Sequence, residues 1–284
     1  MFASKCIGIV GLGLIGGSLG LDLQSLGFKV HGLVNRSTTA QKAQSRGLAQ
    51  LISTDAKILS ECDLIILALP LDQLLDPPKD LINALPESAV VTDVGSVKEP
   101  VLKVWSKLHK NFVASHPMAG AADAGVGSGR IDLFKKRPWV ATPEANTNLE
   151  ALETVHQLAL VLGSNWITAQ AKMHDQAVAL ISHLPVLISA SLIRALGNEP
   201  DSSLFELAQL LASSGFADTT RVGGGNPNLG TAMMVNNTSA ILRALHLYRL
   251  SLDQFEADIM NKDWKKLQSE FEETHALRRE FLRD

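Results

Sequence analysis

Short apolar runs alternate with helical patterns over the first 168 residues of the chain. The apolar runs predict strands at Cys6–Val10, Phe28–Val34, Asp63–Leu69, Ala89–Asp93, Phe112–Ser115 and Trp139–Thr142. Helical patterns lie between several of them, at Leu14–Leu26, Thr39–Arg46 and Val97–His109. Several strand runs are continuously apolar, which is typical of parallel strands that are covered on both faces. This alternation predicts an α/β fold with a doubly wound sheet.

The pattern changes after Thr168. From there on the apolar residues recur with helical spacing, at Ala171–Leu196, Ser203–Ser213, Leu229–Phe255 and Trp264–Leu282. We therefore predict two domains, a doubly wound one over residues 1–168 and an all-helical one over residues 169–284. Residues 177–193 approach the length of a membrane span, but His183, Pro185 and three serines favour a helix that is buried inside protein.

A glycine-rich turn joins the first predicted strand to the first predicted helix. Gly11, Gly13 and Gly16 have the spacing GxGxxG. In this motif the first glycine permits a tight turn, the second lets the backbone approach a pyrophosphate, and the third lets the helix pack closely on the strand. The free N–H groups at the start of the helix, around Leu14 and Ile15, favour phosphate binding. We predict a Rossmann-type dinucleotide-binding domain; the alternative is a turn that serves packing only.

The stretch HGLVNRSTTA, residues 31–40, covers the end of the second predicted strand. This fold usually places there an acidic residue that binds the ribose hydroxyls. Asn35 occupies that position, so the charge that would repel a 2′-phosphate is missing. Arg36 can pair with a phosphate and stack on adenine, and Ser37 and Thr38 add hydroxyl donors. We therefore predict NADP as the cofactor; the alternative is that Arg36 is a solvated surface residue.

Further candidates follow other predicted strands, at the carboxyl edge where this fold binds its ligands. Leu69 and Pro70 follow one strand and are predicted to contact the cofactor. Ser96 follows another in DVGSVK and is predicted to contact both the cofactor and the substrate; its alternative role is a helix N-cap. His116 follows the next in SHPMAG, so its ring is predicted to project toward the nicotinamide. Arg221 lies among small and polar residues in SSGFADTTRV, with a surface salt bridge as its alternative role.

These segments together resemble a known enzyme family. GLGLIGGS, DVGSVK, SHPMAG, ISHLP and SSGFADTTRV occur in the order found in the prephenate/arogenate dehydrogenases, the oxidative enzymes of tyrosine biosynthesis. The resemblance spans almost the whole chain and is greatest to monofunctional, NADP-dependent arogenate dehydrogenases. It implies oxidative decarboxylation of arogenate to tyrosine. The alternative substrate is prephenate, which would give 4-hydroxyphenylpyruvate.

The resemblance also implies roles for individual residues. His116 matches the catalytic histidine that accepts the substrate's hydroxyl proton, and Ser96 matches a serine that hydrogen-bonds that hydroxyl or the histidine. Arg221 matches the arginine that holds the substrate's side-chain carboxylate. His183 is expected near the substrate carboxylates or the nicotinamide, with a hydrogen-bonded core histidine as the alternative, and Gly120 is expected beside the substrate. The remaining histidines match no site element and are assigned to structure or solvent contact: His31, His109, His156, His174, His246 and His275.

The chain departs from the family pattern at two places. Ala217-Asp218 follows the GF element, where relatives often have Arg-Asp. Ala121 and Ala122 stand where some relatives carry Thr-Glu, so the substrate contacts of that pair cannot be transferred. The resemblance further implies a homodimer formed through the helical domain.

Two other functions are compatible with parts of the sequence. A β-hydroxyacid dehydrogenase or imine reductase would share the two-domain layout, but the former needs a catalytic lysine, and Lys172 lacks matching surroundings. A non-enzymatic NADPH-sensing module would need the glycine-rich turn, but it has no use for His116, Ser96 and Arg221 together.

Charge and cysteine content narrow the remaining classes. The formal net charge of −3 and the absence of a long Lys/Arg cluster in the sequence argue against nucleic-acid binding. Cys6 and Cys62 have the pattern of buried thiols in a reducing compartment, and no sequence spacing indicates a zinc site. We therefore predict a cytoplasmic protein without a metal, a membrane span or a nucleic-acid partner.

Overall fold

A computed structural model describes residues 6–120 and 125–282 of the chain. Its larger sheet has six parallel strands in the order β3-β2-β1-β4-β5-β6. They are β1 (Cys6–Val10), β2 (Lys29–Leu33), β3 (Leu51–Ser53), β4 (Leu64–Leu67), β5 (Val90–Asp93) and β6 (Phe112–Val113). The strand order reverses between β1 and β4, and sheets of this kind bind their ligands beyond the carboxyl ends of the strands at that point.

Helices accompany this sheet, and alternate residues of its central strands point to opposite faces. The helices are α1 (Leu14–Ser25), α2 (Ser37–Ser45), α3 (Leu71–Leu75), α4 (Lys79–Ala84) and α5 (Glu99–Leu108), with a 3₁₀ turn at Ala56–Leu59. In β4, Leu64 and Ile66 belong to one buried apolar cluster, whereas Ile65 and Leu67 belong to the other. A strand that is buried on both faces has no polar alternation, which explains its continuous apolar run. The predicted doubly wound α/β fold is confirmed.

A second, three-stranded sheet follows in the chain. Its strands are β7 (Ser115–Pro117), β8 (Pro138–Ala141) and β9 (Asn165–Thr168), and helix α6 spans Leu149–Val161. Strand β7 runs antiparallel to β8, and β8 runs parallel to β9.

This second sheet corrects the prediction of one strand over Phe112–Ser115. The large sheet ends at Val113, and Ser115 begins β7. Ser115 turns away because its N–H and hydroxyl donate to the side chain and the carbonyl of Asp93, at 3.1 and 2.9 Å. Strands β3 and β9 are absent from the prediction because they are short and carry no buried residue, so their sequences lack an apolar run.

The rest of the described chain is helical, as predicted. The helices are α7 (Ala171–Val178), α8 (Leu184–Gly197), α9 (Ser202–Leu211), α10 (Ser214–Thr220), α11 (Pro227–Asn236), α12 (Thr238–Met260) and α13 (Trp264–Leu282). A π-helical turn, Ala179–His183, joins α7 to α8. The chain groups into two compact units, Met1–Thr238 and Ser239–Asp284. The predicted domain boundary after residue 168 stays a prediction.

The continuous helical run Ala171–Gly197 is long and apolar enough to cross a membrane by length and composition alone. Only 28% of its most apolar window is buried within the chain, and Leu180 and Ile181 are exposed. The predicted helix is therefore present, but the predicted burial is not reached within one copy of the chain, which leaves much of the apolar surface of this helix uncovered.

The two cysteines are free and buried, at the opposite edge of the sheet from the carboxyl ends of the strands. Their Sγ atoms are 3.5 Å apart, and His31 Nδ1 lies 3.8 Å from Cys62 Sγ. Burial raises the pKa of both thiols, and His31 Nδ1 already lies 2.9 Å from the Ile58 carbonyl oxygen. The three side chains could reach one ion, but these conditions favour neutral thiols that pack like small apolar groups.

A buried ion pair joins the end of β5 to the start of α5. Lys98 Nζ donates to the Asp93 carboxylate, and both side chains are fully buried. Lys98 Nζ also donates to the Ser115 carbonyl oxygen at 2.7 Å, and Asp93 accepts the N–H of Gly95 at 2.8 Å. Burial lowers the pKa of Lys98 and raises that of Asp93, while the pair itself opposes both shifts. The pair therefore ties β5, β7 and α5 together.

We expect Lys98→Met to lower the free energy of unfolding by roughly 3–5 kcal/mol, because it leaves Asp93 buried without its counter-ion. Urea unfolding followed by tryptophan fluorescence measures the change. Lys103→Met, on the exposed face of the same helix, is the matched control and should shift stability by about 0.5 kcal/mol at most. Adding Asp93→Asn to Lys98→Met should recover part of the loss. Equal stability of Lys98→Met and Lys103→Met would contradict this account of the ion pair.

Candidate active site

The glycine-rich turn lies between β1 and α1, at the reversal of strand order. Gly11 has a φ of +92°, and a side chain there would overlap the carbonyl oxygen of Ala68. A side chain at Gly16 would overlap the Gly11 carbonyl oxygen, so the helix lies directly against the turn. A Cβ at Gly13, by contrast, would meet nothing within 4 Å. Two of the glycines are thus required by packing, and the third leaves an open surface at the helix start.

Four other predicted cofactor residues border this turn. Leu14 and Ile15 form the first turn of α1, where N–H groups have no partner within the helix. The Leu69 side chain would lie 3.6 Å from a Cβ placed on Gly11, and Pro70 is the N-cap of α3. These residues therefore surround one opening at the carboxyl ends of β1 and β4.

The stretch after β2 is fully accessible. Strand β2 ends at Leu33, and Asn35, Arg36, Ser37 and Thr38 are all exposed. Arg36 is the N-cap of α2, and the two hydroxyl residues form its first turn. Residues 35–38 include no acidic side chain. A phosphate group bound here would therefore contact an arginine, two hydroxyl groups and the N-terminus of a helix.

His116 is the central residue of β7. Its neighbours Ser115 and Pro117 are buried, and His116 itself is half-buried. The Ser115 hydroxyl lies 2.8 Å from Thr92 Oγ1 and accepts Trp139 Nε1–H at 3.1 Å, which fixes the strand. The histidine lies within a strand of the second sheet, which corrects the prediction that it follows a strand of the large sheet.

A second histidine stands directly behind His116. His116 Nδ1 lies 2.9 Å from His174 Nε2, and the two rings are nearly perpendicular. His174 Nδ1 lies 2.8 Å from Asp175 Oδ1. Asp175 in turn accepts the backbone N–H groups of Lys98 and Glu99 at 2.7 and 2.9 Å. The sequence assigns His174 to structure or solvent; the structure places it in contact with the predicted catalytic residue.

The surroundings keep the His116 ring neutral. Its pKa lies well below the ordinary 6.5, first because burial disfavours the charged form and then because of the nearby Lys98 ammonium. A histidine with a lowered pKa is unprotonated at neutral pH, so its free ring nitrogen is available as a base.

His183 ends the π-helical turn between α7 and α8. Pro185 lies two residues further on and has no N–H to donate to the Ile181 carbonyl. The wider π turn relieves this conflict without breaking the helical run, and such turns are frequent at functional sites. The turn brings the fully buried His183 to the same region of the chain as Asp175.

His183 has one satisfied and one unsatisfied ring nitrogen. Asn237 Nδ2 lies 3.2 Å from His183 Nδ1 and 2.7 Å from the Asp175 carbonyl oxygen. Because the amide is a donor, Nδ1 is an acceptor, and Nε2 carries the proton. Nε2 is buried and has no hydrogen-bond partner among the described residues. Burial lowers the pKa of His183 to about 4, so it is a neutral donor that lacks an acceptor.

The remaining predicted site residues are present without such contacts. Ser96 is half-buried in the loop between β5 and α5, and the N-cap of α5 is Lys98, so Ser96 does not cap that helix. Gly120 is exposed, and a Cβ there would meet nothing within 4 Å. Ala121 and Ala122 lie outside the described residues.

Arg221 is exposed in the turn after α10 and forms no hydrogen bond or ion pair with any described residue. The turn itself is fixed, since Gly223 N–H donates to Ser189 Oγ of α8 at 2.8 Å, and a side chain at Gly223 would overlap the α8 backbone. Lys172, the lysine considered for a different reductase, is exposed on α7. The hydrogen bonds among the predicted site residues thus surround His116, whereas the Arg221 guanidinium has no partner among the described residues and could bind an anionic ligand.

Two family models match consecutive parts of the chain. The nucleotide-binding domain of prephenate dehydrogenase matches residues 19–168, and the prephenate dehydrogenase dimerization domain matches residues 170–273.

Similar proteins cover nearly the full length. The crystal structure of Synechocystis arogenate dehydrogenase is 41% identical, covers 97% of this chain and 99% of its own, and has a TM-score of 0.81. Prephenate dehydrogenase from Aquifex aeolicus, in complex with hydroxyphenyl propionate and NAD⁺, is 26% identical, with 98% of both chains covered and a TM-score of 0.89. A cyclohexadienyl dehydrogenase from Zymomonas mobilis is 29% identical over 98% of this chain and 96% of its own.

The predicted family is thereby confirmed. With its nucleotide-binding sheet, its helical second half and these matches, the chain belongs to the prephenate/arogenate dehydrogenase family, oxidoreductases of tyrosine biosynthesis that use a pyridine nucleotide.

Proposed function

We propose that this chain oxidises arogenate to tyrosine, with release of carbon dioxide and transfer of a hydride to NADP⁺. The observation that carries the proposal is the neutral His116 ring, which projects from β7 and is hydrogen-bonded to the His174 ring. The 41% identity with Synechocystis arogenate dehydrogenase favours arogenate over prephenate as the substrate. Prephenate, which would give 4-hydroxyphenylpyruvate, remains the alternative.

His116 acts as the base in this mechanism. Its free nitrogen accepts the proton of the substrate's ring hydroxyl; the O–H electron pair forms the carbonyl, and the C–H pair leaves as hydride. The bound nicotinamide supplies the acceptor for that hydride. The carboxylate on the opposite ring carbon then leaves as carbon dioxide, its bond electrons complete the aromatic ring, and His116 returns the proton to the resulting phenolate oxygen. Ser96 is assigned to hydrogen-bond the reacting hydroxyl.

The glycine-rich turn fits a dinucleotide. The open surface at Gly13 and the free N–H groups of Leu14, Ile15 and Gly16 would receive the pyrophosphate. Leu69 and Pro70 would border the cofactor at the end of β4. This cradle is the same for both nucleotides.

The stretch after β2 favours NADP. Asn35 brings no negative charge to repel a 2′-phosphate, and the exposed Arg36, Ser37 and Thr38 can all donate hydrogen bonds to it.

Arg221, His183 and Gly120 are assigned to the substrate. The guanidinium of Arg221 is unpaired in the described chain and suits bidentate binding of the side-chain carboxylate, which both candidate substrates possess. His183 Nε2–H needs an acceptor, and a substrate carboxylate or a nicotinamide carbonyl would supply one. Gly120, beside the predicted catalytic strand, leaves room for the ring.

We further propose that residues 1–168 bind the nucleotide and that residues 169–284 form a homodimer. The match to a dimerization domain and the exposed apolar residues of the run Ala171–Gly197 support this arrangement, because a second copy would cover them. The free, closely spaced thiols of Cys6 and Cys62 suit a reducing compartment, so we place the dimer in the cytoplasm.

The assay that tests this function combines arogenate and prephenate with NAD⁺ and NADP⁺ and follows the absorbance of the reduced nicotinamide. We expect the highest kcat/KM with arogenate and NADP⁺. His116→Ala should abolish turnover and retain NADP⁺ binding, whereas His156→Gln, at a half-buried histidine on α6 that has no assigned role in the site, should keep the turnover of the unmodified enzyme. Inactivity in all four combinations would refute the dehydrogenase, and an active His116→Ala enzyme would remove the base.

Cofactor preference is tested by single changes after β2. Asn35→Asp introduces a charge that repels the 2′-phosphate, and Arg36→Ala removes its counter-charge. Both should shift the ratio of kcat/KM values from NADP⁺ toward NAD⁺, by about tenfold or more if one charged hydrogen bond is lost. Lys42→Ala, on the exposed side of α2, is the matched control. An unchanged ratio in both variants would exclude this stretch from cofactor selection.

The glycines of the turn separate packing from binding. Gly16→Ala should lower the melting temperature, because its Cβ would overlap the Gly11 carbonyl and overpacking costs about 1–3 kcal/mol. Gly13→Ala meets no atom within 4 Å, so it should keep the melting temperature of the free enzyme and weaken NADP⁺ binding. Calorimetry with and without NADP⁺ measures both effects. Equal destabilisation by the two substitutions would contradict the different roles of these glycines.

A further inference from the structure

We propose that His174 and Asp175 are positioning residues for His116. They fix which nitrogen of the His116 ring carries the proton, and they stabilise the positive charge that the ring gains when it accepts the substrate's proton. This inference deepens the proposed function and rests on it.

The Asp175 carboxylate sets the direction of the hydrogen bonds. Oδ1 accepts the N–H of Lys98 at 2.7 Å, and Oδ2 accepts the N–H of Glu99 at 2.9 Å, so the first backbone N–H groups of α5 hold both oxygens. The third contact of this carboxylate is His174 Nδ1, 2.8 Å from Oδ1. Because a carboxylate only accepts hydrogen bonds, His174 must carry its proton on Nδ1.

The same reasoning extends to His116. With its proton on Nδ1, neutral His174 offers a lone pair at Nε2, and that atom lies 2.9 Å from His116 Nδ1. His116 Nδ1 must therefore be the donor of this hydrogen bond, and Nε2 of His116 keeps a free lone pair. This is the tautomer that a base needs. Without the two residues behind it, the His116 ring would have no contact that selects this tautomer among the described residues.

His174 and Asp175 also stabilise the positive charge that His116 gains during the reaction. Burial and the nearby Lys98 ammonium both disfavour a second positive charge on His116. When the substrate O–H bond breaks and an N–H bond forms at Nε2, the new imidazolium donates through Nδ1 to His174. The Asp175 carboxylate, on the far side of His174, then supplies the compensating negative charge. His174 and Asp175 are buried and have all the polar contacts this arrangement requires.

The kinetic test compares two substitutions at one position. His174→Gln can still place a carbonyl oxygen as acceptor for His116 Nδ1–H, whereas His174→Phe cannot. We expect His174→Phe to lower kcat by roughly 10²–10⁴-fold, the usual contribution of a base, and His174→Gln to recover at least a tenfold part of that loss. KM should stay within about twofold in both, because binding energy that appears only in the transition state affects kcat.

A merely structural role gives a different result. It would predict a common fall in melting temperature, a raised KM and no advantage of glutamine over phenylalanine. Melting curves of both variants, with Lys103→Met as the exposed control, separate the two cases. An unchanged kcat in His174→Phe, or equal losses of kcat in the two variants, would overturn the proposed role of His174.

A second experiment does not depend on catalytic activity. Nitrogen-15 NMR of the histidine-labelled, substrate-free enzyme, assigned by comparison with His116→Ala, distinguishes protonated from unprotonated ring nitrogens. We expect His116 to be protonated at Nδ1 only, and Asp175→Asn or His174→Phe to give a mixture of tautomers. A His116 ring protonated at Nε2 in the unmodified enzyme would refute the inference even if the chain proves to act on another substrate. An inactive chain with the expected tautomer would refute only the proposed function.

Discussion

Lys98 binds two buried carboxylates at once, and the active-site geometry depends on this double contact. Its ammonium group pairs with Asp93 at the end of β5 and also donates to the carbonyl of Ser115 in β7. Its backbone N–H donates to Asp175 in α7. One residue at the start of α5 thus fixes the strand that carries His116 and the helix that carries His174. A buried lysine is costly unless it is paired, so this arrangement persists only because every partner is in place.

The same lysine shapes the chemistry. A cation beside a desolvated imidazole disfavours protonation, and His116 is therefore neutral, with a lone pair free on its ring, at neutral pH. His183 is neutral for a related reason, with burial as the main cause, and presents an unsatisfied N–H instead of a base. One region of the protein thereby contains two histidines with the same charge and opposite hydrogen-bonding roles. A substrate with a reacting hydroxyl and carboxylates has use for both.

Sequence patterns locate those features that depend on neighbours along the chain. The apolar runs of β1, β2, β4 and β5 follow from burial on both faces, and the glycine spacing follows from a turn whose atoms overlap if Gly11 or Gly16 gains a side chain. The break between β6 and β7 escapes such reasoning because it arises from hydrogen bonds between Ser115 and Asp93, 22 residues apart. Short strands without buried residues, β3 and β9, leave no apolar signal either.

The contacts of His174 are the clearest example of a feature that the sequence does not predict. His116 and His174 are 58 residues apart, and no local pattern relates them. The adjacent residues His174 and Asp175 are a local signal of these contacts, because an imidazole ring and a carboxylate next to each other on α7 can form a hydrogen bond. No local pattern indicates the contacts of Lys98 either, although Lys98 lies in DVGSVK, the segment that also contains Ser96. Long-range hydrogen bonds between buried polar groups have to be seen in three dimensions.

The neutrality of His116 is tested most directly by titrating its ring in the substrate-free enzyme. Carbon-bound proton resonances of the histidines, followed from neutral to acidic pH and assigned with His116→Ala, report the pKa of each ring. His116 should remain neutral at pH 6.5 and titrate well below it, since burial and Lys98 both oppose its protonation. A His116 ring that titrates at or above its ordinary value of 6.5 would contradict the account.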